Sequence, residues 1–282
     1  MSAPDLDGRV ALVTGAAGGI GQPLARAFVG AGMRVALCDT SEDGVLRLHR
    51  ELGPDRTTAL PMDVSDPASC RGSVSRTIAH FGRLDVLVNN AAMGMSTVRE
   101  DHMRRVVQIE DISPDLWARF MAVNLSGPFY LAHAAVPGMR AQKFGRIINV
   151  TTSYFTMLNP GFSPYGPAKS GLEAWSTSLA GELRGTGITV NVVVPGGPTD
   201  TPMVPDDGSM ERNQLIRPEK MAPPMLHLVS DAGGDVTGMR FVAAKWDSSL
   251  SIADAIAASG APAGWPDLAR SPVWPGGGPK RI

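Results

Sequence analysis

The chain has 282 residues and a mass of 29.7 kDa, a length that favours one large domain. Its 26 Lys and Arg against 27 Asp and Glu leave a formal net charge of −1, so neither nucleic acid nor an anionic membrane is an expected partner. Its apolar runs are far shorter than the roughly 20 residues of a membrane span, and its start shows no secretory signal. We therefore expect a cytoplasmic protein. Two cysteines, Cys38 and Cys70, are too few for a disulfide framework, and we expect no metal site.

Short apolar runs alternate with longer amphipathic ones, a pattern that indicates right-handed βαβ units. The predicted strands are Arg9–Thr14, Arg34–Asp39, Thr58–Met62, Leu84–Asn89, Arg146–Thr151, Thr189–Val194 and Met239–Ala243. The predicted helices are Gly19–Ala31, Ser41–Leu52, Pro67–Phe81, Ser113–Arg140, Pro164–Arg184 and Pro218–Ser230. Together they predict one α/β fold, a Rossmann-like doubly wound parallel sheet of about seven strands with helices on both faces. Its ligand site belongs at the carboxyl ends of the strands.

Three stretches interrupt this alternation. The segment 93–108, after the fourth strand, is predicted to be a substrate loop, and the segment 196–217, rich in Pro and Gly, a lid. A domain of residues 1–245 is followed by an atypical tail, residues 246–282. The tail contains three tryptophans, Trp246, Trp265 and Trp274. Because each has a large apolar area to bury, we expect the tail to dock on the domain or on a neighbouring subunit.

A glycine-rich turn, Thr14-Gly15-Ala16-Ala17-Gly18-Gly19-Ile20-Gly21, ends the first strand and opens a helix. Gly15 permits the tight turn, Gly19 lets the backbone approach a pyrophosphate, and Gly21 lets helix and strand pack closely. The helix N-terminus around Ile20 supplies amide donors and the positive end of the helix dipole. In this context the turn predicts a dinucleotide cofactor.

Carboxylates end the second and third strands. Asp39 can bind both hydroxyls of the adenosine ribose and would repel a 2′-phosphate, which favours NAD over NADP. The alternative is that Asp39 only caps the following helix. Arg34, the nearest residue that would favour NADP, lies at the wrong end of its strand. At Asp63-Val64 the carboxylate can reach the adenine amino group, and capping of the next helix is an equally good interpretation.

Tyr165 and Lys169 stand four residues apart, which places a phenol and an ammonium on one face of a helix. A free tyrosine titrates near pKa ~10, so it needs positive charge nearby to act as an acid or base at neutral pH. Lysine and an oxidised nicotinamide ring would supply that charge. Pro167 requires the helix to begin near Pro164. Ser153, at the end of the fifth strand, is placed to bond a substrate carbonyl.

With these motifs the chain resembles the short-chain dehydrogenases/reductases over about residues 6–245. The glycine-rich turn matches that family's TGxxxGxG, and Asn89-Asn90-Ala91-Ala92 matches its NNAG with alanine in place of the glycine. Asn124, in VNLSGPF, matches the structural and catalytic asparagine of the family. Ser153, Tyr165 and Lys169 follow in the family's order and complete a tetrad.

The resemblance implies a role for each matched residue. Tyr165 is then the acid/base, and Lys169 lowers the pKa of Tyr165 and binds the nicotinamide ribose. Ser153 polarises the substrate oxygen, and Asn124 holds a water in the proton relay. Asn90-Ala91 borders the cofactor. The resemblance also implies a homo-oligomer, most often a tetramer.

The chain departs from the family at both borders of the substrate pocket. After the sixth strand the family reads PGxxxT, whereas Pro195-Gly196-Gly197-Pro198-Thr199-Asp200-Thr201 carries one extra residue. Pro195 and Gly196 should border the cofactor, and either Thr199 or Thr201 then lies near the nicotinamide carboxamide. The end of the chain also differs, since the tail replaces the family's short strand and DGG.

Side chains around the expected substrate entrance have two interpretations. The basic residues of the substrate loop either receive an anionic group or form a solvated charged face; they are Arg99, His102, Arg104 and Arg105. Tyr154 and Phe155 can line an apolar pocket, since they directly follow Ser153. His133, by its apolar spacing, is a packing residue.

The sequence therefore predicts an NAD-dependent oxidoreductase that moves a hydride between nicotinamide and a secondary alcohol or the matching ketone. One alternative is an NADP-dependent 3-oxoacyl carrier-protein reductase, which Asp39, Gly18 and the foreign tail disfavour. Another is a non-catalytic dinucleotide-sensing protein, which the complete set of Ser153, Tyr165 and Lys169 disfavours.

Overall fold

The computed structural model describes residues 6–267. Within that range the strands are β1 (Val10–Thr14), β2 (Arg34–Asp39), β3 (Thr57–Pro61), β4 (Val86–Asn89), β5 (Gly145–Val150), β6 (Ile188–Val194), β7 (Met239–Val242) and β8 (Gly260–Pro262). The α-helices are α1 (Gly21–Gly30), α2 (Glu42–Leu52), α3 (Pro67–Phe81), α4 (Pro114–Met121), α5 (Gly127–Ala141), α6 (Tyr154–Leu158), α7 (Tyr165–Glu182), α8 (Ala222–Val229) and α9 (Ile252–Ser259).

All of these strands form one sheet in the order β3-β2-β1-β4-β5-β6-β7-β8. The first seven are parallel, and β8 is antiparallel to β7. The predicted doubly wound α/β sheet is confirmed. Because the strand order reverses between β1 and β4, the carboxyl ends of these two strands open the crevice in which such sheets bind ligands.

Helices cover both faces of the sheet. On one face Phe28 of α1 and Met225 of α8 pack against the strands, and on the other face Leu131 of α5 and Leu179 of α7 do so. Each such side chain contributes about 1.5–3 kcal/mol when it is fully buried. Among the helices of residues 6–267, none is long and apolar enough to cross a membrane.

The long helix predicted over Ser113–Arg140 is instead two helices joined by a π-helical turn, Ala122–Ser126. The reason lies in the sequence. Pro128 has no N–H, so it cannot donate the α-helical hydrogen bond to the carbonyl of Asn124, four residues earlier. The hydrogen-bond ladder shifts to the wider π spacing, and Asn124 lies buried in the widened turn.

Three elements were not predicted. One is α6, which follows β5 directly, and the other two, α9 and β8, belong to the tail. Through β8 the tail pairs with β7, so its described part adds a strand to the sheet. Trp246 is buried beside Phe241, and the ring of Trp265 lies 5.5 Å from that of Tyr154. Trp274 lies outside the described residues, and the division at residue 245 stays a prediction.

Candidate active site

The glycine-rich turn is too tight for side chains at two positions. Gly15 has a φ of 65°, and a Cβ atom on Gly21 would overlap the carbonyl oxygen of Gly15. The amide of Gly18 donates to that same oxygen at 3.1 Å. Within residues 6–267 the amides of Gly19 and Ile20 have no acceptor, and they stand at the N-terminus of the ten-residue α1. Free donors at a helix N-terminus fit the pyrophosphate of a dinucleotide.

Thr14 joins the ends of β1 and β4 beside this turn. Its hydroxyl accepts from the amides of Asn90 and Ala91, each at 2.9 Å. In return Asn90 Nδ2 donates to the carbonyl of Thr14 at 2.9 Å. The structure therefore brings Asn90 and Ala91 against the glycine-rich turn, at the crevice where the strand order reverses.

Asp39 is held against the glycine-rich turn. Its Oδ2 accepts from the amide of Ala17 at 3.1 Å, and its Oδ1 accepts from the amide of Ser41 at 3.0 Å. The N-cap of α2 is Ser41, so Asp39 is not the cap. Arg26, which lines the cleft beside the turn, is paired with Glu51 at 2.7 Å. A carboxylate fixed at this position fits the ribose hydroxyls of a nicotinamide dinucleotide.

Asp63 and Val64 follow β3. The carboxylate of Asp63 accepts from the amide and hydroxyl of Ser65 at 2.8 and 2.7 Å, and the residue is exposed. Asp66 is the N-cap of α3, accepting from the amide of Ala68, so the capping interpretation of Asp63 is wrong. Val64 is buried. Asp63 thus keeps acceptor capacity for an adenine amino group at the edge of the crevice.

The segment after β6 begins with a constrained backbone. Gly196 has a φ of 109°, and a Cβ atom on it would lie 2.7 Å from Val242 Cγ1. The carbonyl of Pro195 accepts from the amide of Ala244 at 3.0 Å. Both contacts tie the start of the lid to the end of β7, at the carboxyl edge of the sheet.

The two threonines of the lid have different surroundings. Thr199 is buried, and its hydroxyl donates to the carbonyl of Gly197 at 3.2 Å. Thr201 lies against the glycine-rich turn, so closely that a Cβ atom on Gly19 would overlap its side chain. Of the two residues, Thr201 is the one that the structure brings to the glycine-rich turn.

Tyr165 and Lys169 occupy the first two turns of α7. Lys169 Nζ lies 5.9 Å from the centre of the Tyr165 ring and donates to the carbonyl of Val150 at 2.8 Å. Burial lowers the pKa of Lys169 to about 7. Burial also raises the pKa of Tyr165 to about 12, and a hydrogen bond with the Thr152 side chain acts in the opposite direction. The phenol therefore depends on added positive charge and on Thr152 to titrate near neutral pH.

The hydroxyl that lowers the pKa of Tyr165 belongs to Thr152. Ser153, to which the sequence analysis gives the substrate oxygen, is the N-cap of α6. Its Oγ accepts from the amide of Thr156 at 3.1 Å and lies 3.0 Å from Thr156 Oγ1. A signal for this was present, because serine is a stronger N-cap than threonine and stands just before the helix starts. Sequence reasoning therefore missed Thr152.

Asn124 uses its side chain to hold the start of the substrate loop. Its Oδ1 accepts from the amide of Met93 at 3.1 Å, and its Nδ2 donates to the carbonyl of Met93 at 3.2 Å. This reciprocal pair fixes the backbone where the chain leaves the NNAA segment after β4. Asn124 thereby fixes the position of the chain at the edge of the crevice.

Two arginines of the segment 93–108, Arg99 and Arg104, are paired with carboxylates. Arg99 lies 3.2 Å from Asp111 and 3.3 Å from Asp101. Arg104 donates to the carbonyl of Asp207 and lies 3.7 Å from its carboxylate, which joins the substrate loop to the lid. Charges neutralised in this way offer little to an anionic substrate. They support the interpretation of a structural charged face.

Tyr154 and Phe155, the two aromatic residues after Ser153, lie in different environments. Tyr154 donates from its hydroxyl to Glu173 Oε1 at 2.9 Å, so the expectation that it lines an apolar pocket is wrong. Phe155 is 67% exposed, and its ring lies 6.4 Å from that of Phe162. Phe155 is therefore the aromatic side chain available at this surface.

Comparison with known proteins agrees with the fold and the site. The family model for short chain dehydrogenases matches residues 9–212, and the chain belongs to that family. The 3-oxoacyl-[acyl-carrier-protein] reductase FabG of Salmonella typhimurium (strain LT2) is 35% identical over 240 residues, which cover 82% of this chain and 94% of that protein. The protein is thus an oxidoreductase with a nicotinamide-dinucleotide-binding fold.

Two further similarities differ in substrate. D-threitol dehydrogenase of Mycolicibacterium smegmatis is 35% identical over 192 residues, 67% of this chain and 70% of that protein. The crystal structure of a 3-ketoacyl-(acyl-carrier-protein) reductase from Brucella melitensis complexed with NADH superposes with a TM-score of 0.71 at 26% identity. The superposition covers 82% of this chain and 95% of the Brucella melitensis chain.

Proposed function

We propose that the protein is an NAD-dependent oxidoreductase acting on a secondary alcohol or the matching ketone. The observation that carries this proposal is the grouping of Tyr165, Thr152 and Lys169 at the crevice that also contains the glycine-rich turn. A nicotinamide bound there would supply the hydride acceptor for the oxidation and the hydride donor for the reduction. The turn amides of Gly19 and Ile20, which lack protein acceptors, would hold the pyrophosphate.

In the oxidation direction Tyr165 takes the hydroxyl proton of the substrate. The Thr152 hydroxyl, which lowers the pKa of this phenol, would donate its single proton to the phenolate before the transfer and to the substrate oxygen after it. Lys169 supplies positive charge from one turn further along α7, held there by the carbonyl of Val150. Ser153 fixes α6 as its N-cap. Asn124 fixes Met93 at the crevice, and its role in holding a relay water stays part of the proposal.

Asp39 is the residue that favours NAD. Both of its oxygens already face the turn and the start of α2, so the carboxylate is fixed where the ribose hydroxyls would lie. A 2′-phosphate would meet this negative charge while Arg26 is occupied by Glu51. Asp63 would bind the adenine amino group. Thr201, which lies against Gly19, is better placed than Thr199 to border the cofactor.

A 3-oxoacyl carrier-protein reductase is the second candidate, because the similar proteins include several of that name. D-threitol dehydrogenase, 35% identical over a shorter match of 192 residues, points toward an uncharged polyol. The ion pairs of Arg99 and Arg104 favour the uncharged substrate, since each guanidinium already faces a carboxylate. We therefore place the secondary alcohol first.

The test is a turnover screen of the full chain. Polyols and other secondary alcohols are offered with NAD and with NADP, and a 3-oxoacyl thioester is offered with NADH and with NADPH. The proposal predicts alcohol oxidation with a higher kcat/KM for NAD. A higher kcat/KM with NADP, or turnover of the thioester alone, would contradict it. Binding of NADH without turnover of any substrate would instead support the dinucleotide-sensing alternative.

We also propose a homo-oligomer, most simply a tetramer, in the cytoplasm. Phe129 of α5 is 46% exposed and belongs to an aromatic group with Tyr130, His133 and Trp175. An exposed aromatic group of this kind is typical of a subunit interface. Light scattering of the parent and of Phe129→Ser decides this, since a parent that is monomeric at assay concentration would refute it.

A further inference from the structure

A buried ion pair lies behind the segment that carries Thr152. Arg240 on β7 bonds through Nη1 to Glu173 Oε2 on α7, and both side chains are almost completely buried. Charges at this depth are tolerated only when each is paired and its remaining hydrogen-bonding groups are satisfied. Those remaining groups contact the residues between β5 and α6.

The ion pair holds two consecutive residues of that segment. Glu173 Oε2 accepts from Thr151 Oγ1 at 3.0 Å. Arg240 Nη2 donates to the carbonyl oxygen of Thr152 at 2.8 Å, and its Nη1 lies 3.4 Å from Thr151 Oγ1. The segment is thus bonded at once to β7 and to α7, which restricts the backbone that presents the Thr152 hydroxyl.

Tyr154 and the tail complete the cluster. The hydroxyl of Tyr154 donates to Glu173 Oε1 at 2.9 Å, and the guanidinium carbon of Arg240 lies 4.1 Å from the centre of its ring. Trp265 stacks near the same ring, with 5.5 Å between the ring centres. A Cβ atom on Gly264 would overlap Thr177 of α7, so the tail approaches this helix closely.

We propose that Glu173 and Arg240 are positioning residues, which hold the segment that carries Thr152 in place beside Tyr165 without touching the substrate. The inference rests on the proposed function, because it names what fixes the geometry of that same site. Glu173 stands one turn beyond Lys169 on α7, so the ion pair links the helix that carries Tyr165 to the segment that carries Thr152.

Two variants and one control separate positioning from general stability. Arg240→Lys keeps the buried charge, but a single ammonium cannot serve Glu173 and the Thr152 carbonyl with the planar fork of arginine. Glu173→Met combined with Arg240→Met removes both charges at similar volume, an exchange that folded proteins often tolerate. The control is Arg146→Lys, a buried arginine at the opposite end of the sheet that donates to the carbonyl of Gly187 at 3.2 Å.

Kinetics give the first readout. In both test variants kcat for alcohol oxidation should fall on the order of 10- to 100-fold, with KM for NAD within about twofold of the parent. The rising limb of the kcat–pH profile should move to higher pH, because the Thr152 hydrogen bond that lowers the pKa of Tyr165 is weakened. Arg146→Lys should leave kcat and the pH profile at their parental values.

Hydrogen exchange followed by mass spectrometry gives a readout that needs no turnover. Amides of residues 151–158 should exchange faster in both test variants than in the parent, while residues 15–30 exchange at the parental rate. Parental exchange in 151–158 with an unmoved pH profile would overturn the inference, even if kcat fell. A parent that turns over no substrate would refute the proposed function, and the exchange rates would still decide whether the ion pair holds the segment.

Discussion

Replacement of Thr152 by valine removes the hydroxyl beside Tyr165 and keeps the shape of the side chain. The lost interaction is a hydrogen bond to a phenol that becomes charged during oxidation. Hydrogen bonds to charged groups contribute about 1.5–3 kcal/mol, and each 1.36 kcal/mol corresponds to about tenfold in rate. We therefore expect kcat for Thr152→Val to fall by roughly 10- to 100-fold, with little change in the affinity for NAD.

Ser153→Ala is the matched comparison, because it removes the neighbouring hydroxyl. That hydroxyl caps α6, so its loss should lower stability by about 1 kcal/mol and leave kcat within a few-fold of the parent. The assay follows NADH formation at saturating alcohol across pH, together with thermal unfolding. A large loss of kcat in Ser153→Ala with near-parental kcat in Thr152→Val would refute the assignment of Thr152.

Three further perturbations test other parts of the site. Asp39→Ala should narrow or reverse the ratio of kcat/KM for NAD over NADP, and an unchanged ratio would remove Asp39 from cofactor selection. Because burial lowers the pKa of Lys169 from 10.5 to about 7, the unfolded chain binds more protons between these pH values, so stability should rise with pH across that window. Lys169→Met should abolish this rise in denaturant titrations, and a rise that persisted would place its origin elsewhere. Truncation after Asp247 removes β8 and the Trp265 contact with Tyr154, so it should lower the melting temperature and kcat; parental values for both would show the tail to be dispensable.

The sheet was predictable because its strands are short apolar runs separated by amphipathic helices. β8 was not predicted because Gly260–Pro262 is only three residues long and is a strand only through its pairing with β7. The π-helical turn was not predicted because the spacing of apolar residues does not reveal one extra residue in a helical turn. Pro128, four residues after Asn124, was the local signal for it.

The candidate site also has parts that the sequence predicts and parts that it does not. The glycine-rich turn and the Tyr165–Lys169 pair follow from local sequence, since turn geometry and helical spacing are local properties. The choice between Thr152 and Ser153 depends on where α6 begins, which the sequence analysis did not foresee. The ion pair of Glu173 with Arg240 joins residues 67 apart in the chain, so only the folded topology brings them together.

The central claim is that Tyr165 moves the proton while a bound NAD takes the hydride. The most direct measurement is the single-turnover rate of NADH formation in the parent, in Tyr165→Phe and in the control Tyr130→Phe, with NAD affinity measured on the same samples. The account predicts a loss on the order of 10²- to 10⁴-fold in Tyr165→Phe at near-parental affinity for NAD, and a parental rate in Tyr130→Phe. A rate in Tyr165→Phe within about tenfold of the parent would contradict it.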